Sequence, residues 1–117
     1  MKIGQFSAQG DIIIERVADA NPGKPEPVDP DGAVVLARGE VTGHRHRFTG
    51  DSGILMFRDD ALARGLAPEL YIGHVAVPEA GGKLLHEEHG TIDLPPGTYR
   101  IRRQREFTAG MARVVAD

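Results

Sequence analysis

The stretch Thr91-Ile92-Asp93-Leu94-Pro95-Pro96-Gly97-Thr98-Tyr99-Arg100-Ile101-Arg102-Arg103-Gln104-Arg105 reads as strand, turn and strand. Pro95 and Pro96 end the first run. Pro96 suits the second turn position, and Gly97 suits the position where φ becomes positive. From Thr98 to Arg105 the residues alternate. Tyr99, Ile101, Arg103, Arg105 and Phe107 share one face, and Arg100, Arg102, Gln104 and Glu106 share the other. The first face begins apolar and turns polar at Arg103. That places the Arg103 guanidinium where the core ends, in reach of a pocket. Four arginines in six residues fit an edge strand that charge protects from foreign pairing. The alternative is a cationic patch, joined by Arg45 and Arg47, for an anionic small molecule or RNA.

The same punctuation runs outward through the chain, in which 15 Gly and eight Pro fall between short apolar runs. Gly10-Asp11 opens a strand over Ile12 to Val17. Residues 18–32 carry prolines at 22, 25, 27 and 30, which bars an interior strand or helix and predicts a surface loop. Further strands are expected at Ala33 to Ala37, His44 to Phe48, Ile54 to Phe57, Leu70 to Val77 and Lys83 to His86. Asp59 to Gly65 fits one helical turn with Asp59 or Asp60 as its cap, and Thr108 to Ala116 fits a short helix. The sum is an all-β chain: a small barrel or sandwich of seven to nine short strands, with at most one or two helical turns, in a single domain over residues 1–117. Aromatics at 5% leave the core to Val, Ile and Leu.

Composition sets limits on function. The absence of Cys excludes disulfide scaffolds, Cys-ligated zinc and thiol catalysis. A net charge of −3 argues against a general nucleic-acid coat. The start Met1-Lys2-Ile3-Gly4-Gln5-Phe6-Ser7 has no apolar signal core. The longest apolar runs fall far short of the ~20 residues that span a bilayer. A soluble cytoplasmic protein with no membrane contact is the expectation, and exposed strand edges make a homo-oligomer the base-rate expectation.

Chemistry is expected where the histidines gather. Four of the five lie in two tight pairs, Thr42-Gly43-His44-Arg45-His46-Arg47 and Leu85-His86-Glu87-Glu88-His89-Gly90. On a strand, His44 and His46 share a face and Arg45 and Arg47 take the other. His86 and His89, three apart, meet only across a turn or on a helix. Neutral imidazole is the common ligand of Zn²⁺, Fe²⁺, Mn²⁺ and Ni²⁺. His44, His46, His86 and His89 are therefore the candidate metal ligands, with Glu87, Glu88 and Glu40 as the available acids. The fifth, His74, sits in an apolar run and reads as a half-buried histidine bonded to backbone. No P-loop, G-x-G-x-x-G, G-x-S-x-G or H-E-x-x-H motif is present.

Gly39 with His44-Arg45-His46 resembles, in part, the G-x(n)-H-x-H opening of the first cupin motif. The spacing is one residue shorter. Phe48, Thr49 and Gly50 stand where the motif carries its Glu, and Pro95-Pro96-Gly97 follows the second histidine pair instead of preceding it. The resemblance implies a double-stranded β-helix holding a divalent metal through His44, His46 and one of His86 or His89. The segments from His86 to His89 and from Gln104 to Phe107 also read as the signature of an uncharacterised bacterial family.

The leading expectation is a divalent-metal protein, with Glu87 or Glu88 as fourth ligand, orienting group or general base, open to metal-dependent catalysis. The second is a metal-free phosphodiesterase or RNA-acting protein, with the histidines as acid and base and Arg103 or Arg105 holding phosphate. The third is a non-enzymatic adaptor or phage-type structural module.

Overall fold

The computed structural model describes residues 1–39, 43–108 and 111–114. It is all-β. The principal sheet has five strands: β1 (Phe6–Gln9), β2 (Ile12–Val17), β5 (Leu55–Phe57), β6 (Tyr71–Val77) and β9 (Gly97–Arg103). Their order is β1-β2-β9-β6-β5, and every neighbouring pair is antiparallel. Three two-stranded hairpins complete the described strands: β3 (Val34–Arg38) with β4 (Arg45–Phe48), β7 (Gly82–Leu84) with β8 (Ile92–Leu94), and β10 (Arg105–Thr108) with β11 (Met111–Val114).

The β3–β4 and β7–β8 hairpins lie over the five-stranded sheet as a second layer. Ile12, Ile14, Val75, Tyr99 and Ile101 of the sheet share one buried cluster with Leu36, Phe48, Leu84 and Leu94 of the hairpins. Each such side chain contributes roughly 1.5–3 kcal/mol on burial. The arrangement is sandwich-like, and the ladder does not close into a barrel among the described residues. Tyr99 is fully buried, yet its hydroxyl donates to the Pro95 carbonyl at 2.6 Å. The turn read from Pro95-Pro96-Gly97 is thus tied to the core.

The helical turn expected near Asp59 is a 3-10 turn at Asp60–Ala63, and the Asp59 side chain accepts from the Ala61 N–H. A second 3-10 turn covers Pro68–Leu70. The helix expected at Thr108 to Ala116 is not formed: Met111–Val114 pairs with Arg105–Thr108. An isolated helix that short is marginal, and the hairpin supplies ladder partners instead. Glu40 and the side-chain alternation expected beyond Gln104 lie outside the described residues. Among the described residues no helix is long and apolar enough to cross a membrane.

The arginine strand corrects another expectation. β9 is the central strand, hydrogen-bonded on both sides, and not an edge. Its charges are matched across the ladder rather than by solvent. Arg102 Nε donates to Glu15 Oε1 at 2.6 Å, and Arg100 reaches both Glu15 oxygens at 3.1 and 3.3 Å. The true edges are β1 and β5. At β5 the Pro-rich segment runs alongside, and the Glu26 N–H donates to the Met56 carbonyl at 2.7 Å. At β1, Phe6 opens the strand and Ile3 precedes it, 62% and 67% exposed.

Candidate functional site

Two backbone hydrogen bonds bring the histidine pairs together. Leu85 bridges to Arg47: the Arg47 N–H donates to the Leu85 carbonyl at 3.0 Å, and the Leu85 N–H donates back at 2.8 Å. Leu85 precedes His86 and Arg47 follows His46, so this bridge joins segments some forty residues apart. Glu87 reinforces it. Its Oε2 accepts the Arg45 N–H at 2.9 Å, and its Oε1 accepts from Arg47 at 3.3 Å. The Arg45 N–H holds the Glu87 carboxyl below the usual glutamate value, against a smaller opposing effect of burial.

The four imidazoles form one group. Ring centroids are 5.5 Å apart for His44 and His86, 4.3 Å for His46 and His86, 4.5 Å for His86 and His89, and 6.2 Å for His46 and His89. The three-residue spacing of His86 and His89 works through a bend at residues 87–89. His86 Nδ1 builds that bend by accepting the backbone N–H groups of Glu88 and His89 at 3.1 and 3.2 Å. The opposed faces read for β4 are observed: His46 and Phe48 are buried, while Arg45 and Arg47 are half-buried on the other side. His44 itself precedes the strand, entered through Gly43 at φ 73, a conformation that glycine adopts without strain.

The histidines then part in role. His44, His86 and Glu87 present ligand atoms that all lie within 4.8 Å of one another. Glu88 approaches His44 Nδ1 at 3.7 Å. His46 is 1% exposed and directs its nitrogens inward, Nδ1 to Gln9 Oε1 at 2.8 Å and Nε2 to Asp11 Oδ1 at 3.2 Å. Both neighbours are acceptors, because the Gln9 amide nitrogen donates to the carbonyls of Leu84 and Gly90. The buried ring is thus held between an amide oxygen and a carboxylate. Arg103 NH1 caps the other Asp11 oxygen at 3.1 Å. Arg103 therefore meets the site through Asp11.

Gln9 and Asp11 are the residues of the candidate site that sequence reasoning missed. Asp11 reads as a turn residue after Gly10, and nothing in Gln9 marks it as buried. His74, read as half-buried and bonded to backbone, is fully buried, and its partner is a side chain. The Tyr71 hydroxyl lies 2.6 Å from its Nδ1, and its ring packs on Phe57. Burial first, and the charge of Arg100 second, push His74 below the usual histidine value, so it stays neutral and accepts from Tyr71.

A family model described as a domain of unknown function, DUF8820, matches residues 8–104. No curated protein and no solved structure matches the chain significantly. The matched span takes in Gln9, Asp11, both histidine pairs and Arg103.

Proposed function

We propose that this chain, which belongs to the DUF8820 family, binds a divalent transition-metal ion through His44, His86 and Glu87. The observation that carries the reading is the convergence of their ligand atoms within 4.8 Å. Two imidazoles and one carboxylate suit Zn²⁺ and Fe²⁺, and three protein ligands leave coordination positions open. An ion held so would supply Lewis-acid activation of water or, as iron, oxygen chemistry.

The chain's own residues do the positioning. The Arg47–Leu85 bridge fixes the two segments, and the Arg45 N–H and Arg47 orient Glu87 and keep it ionised. His86 Nδ1 accepts the Glu88 and His89 N–H groups and so holds the bend that carries the ring. His46 is assigned a different part from the one implied by the cupin resemblance: it props the group from below through Gln9 and Asp11.

Metal analysis after loading with Zn²⁺ or Fe²⁺ is expected to give one ion per chain, with a melting temperature that falls in EDTA. His44→Ala and His86→Ala are expected to abolish stoichiometric loading. Arg47→Gln, which only loosens Glu87, is expected to weaken binding roughly 10–100-fold. In amide NMR, Glu88 and His89 are expected to shift most on loading. No stoichiometric metal, together with a melting temperature indifferent to EDTA, would overturn the reading.

A further inference from the structure

A second concavity has none of His44, His86 or Glu87 in its lining. It has a volume of about 340 Å³, and Arg58, Arg103, Tyr71, Met56 and Glu26 are among the residues that line it. That volume is at the lower end for small-molecule sites. Its two guanidinium groups are held in place by contacts that leave donors over.

Arg58 follows β5. Its NH1 donates to the Ile72 carbonyl at 3.0 Å, and its guanidinium lies 4.9 Å from the centre of the Tyr71 ring. Tyr71 is fixed in turn, its hydroxyl accepting the Asp59 N–H at 3.0 Å and meeting His74 at 2.6 Å. Among the described residues Arg58 forms no ion pair with a carboxylate. Arg103 enters from the end of β9, where its NH1 is spent on Asp11. Asp11 meets His46 through its other oxygen, and the Arg103 fork has N–H donors beyond the one on Asp11. Glu26 is the one acid in the lining. Its backbone is tied to Met56, and among the described residues its side chain pairs with neither arginine.

The concavity is thus lined by two arginines and one glutamate, with Arg103 also paired to Asp11 behind it. A guanidinium has five N–H donors in a planar fork that matches oxyanions, and one already fixed loses little side-chain freedom on binding. We propose that this concavity binds the oxyanion head, phosphate or carboxylate, of a small molecule between Arg58 and Arg103, with Glu26 at the rim opposing the most highly charged ligands. The site uses none of the three proposed metal ligands, and it touches their surroundings only through the Arg103–Asp11 contact.

The test is titration of the intact chain, at fixed ionic strength, with inorganic phosphate, phenyl phosphate and acetate, followed by amide NMR and calorimetry. Saturable binding of at least one, with shifts centred on Arg58, Tyr71 and Arg103, is expected. Tighter phosphate than acetate marks a phosphate head, and the reverse marks a carboxylate head. Arg58→Gln is expected to weaken binding about tenfold or more. Glu26→Gln, which removes the opposing charge and leaves the guanidinium groups in place, is expected to tighten it. An unchanged affinity in Arg58→Gln, no response to Glu26→Gln, or no saturable binding by the unsubstituted chain would overturn the proposal.

Discussion

His46 is the residue on which the candidate site rests most heavily. It is buried, faces an acceptor on each nitrogen, and shares Asp11 with Arg103. Removing Asp11 takes the counter-charge from Arg103 and a buried partner from His46. Asp11→Ala is therefore expected to cost about 3–5 kcal/mol of stability, measured by urea unfolding. Gln9→Ala is expected to cost about 1–3 kcal/mol, because it strips a buried acceptor from the same ring. Neither effect was legible in the sequence. The doublet His44 and His46 shows that two rings are near each other, but not that one of them faces Gln9 and Asp11. That division depends on which strands stack above it, and sequence spacing carries no record of stacking.

At the scale of elements, more was legible. β2 begins and ends where Gly10-Asp11 and the proline run place it, and the Asp59 cap is found where the pattern put it. These features are local, set by turn residues and alternation. The Arg47–Leu85 bridge is not local, and the neighbourhood of the two histidine pairs depends on it. Leu85→Pro deletes the N–H given to Arg47. It is expected to speed hydrogen exchange in β4 and to abolish metal loading, while the five-stranded sheet keeps its protection. Gly50 tests a second junction. A Cβ there would stand 2.8 Å from the Gly32 carbonyl oxygen, which is backbone and has little room to yield. Gly50→Ala is expected to cost roughly 1–3 kcal/mol and to loosen the end of the proline-rich segment, read as a lowered melting temperature and faster proteolysis there. The misreading of β9 as an edge has the same origin as the missed bridge. Charge density along one strand is visible in sequence, but the glutamate across the ladder that absorbs it is not.

For the molecule as a whole, acid is the condition to which these contacts are most sensitive. Burial raises the Glu15 carboxyl, but the hydrogen bonds and charges of Arg102 and Arg100 outweigh it and hold the group below 4.5. His74 is held below 6.5 by burial and by Arg100. Both groups bind more protons unfolded than folded, so each adds stability above its unfolded value and loses it as pH falls toward its folded one. Stability is expected to decline first below about pH 6.5 as His74 resists protonation, and again below about pH 4.5 as Glu15 does. His74→Gln is expected to remove the first decline and leave the second, in melting curves taken across pH.

The two borders of the five-stranded sheet are unequal. One has its backbone engaged by Glu26, and the other offers β1, with Ile3 and Phe6 exposed. A sheet open at both borders can extend copy upon copy into a fibre. A sheet with one border occupied can join only like to like, and a two-fold pairing of that kind terminates itself. The proline-rich segment, through Glu26 and Met56, takes up part of the β5 border at which such growth would otherwise begin.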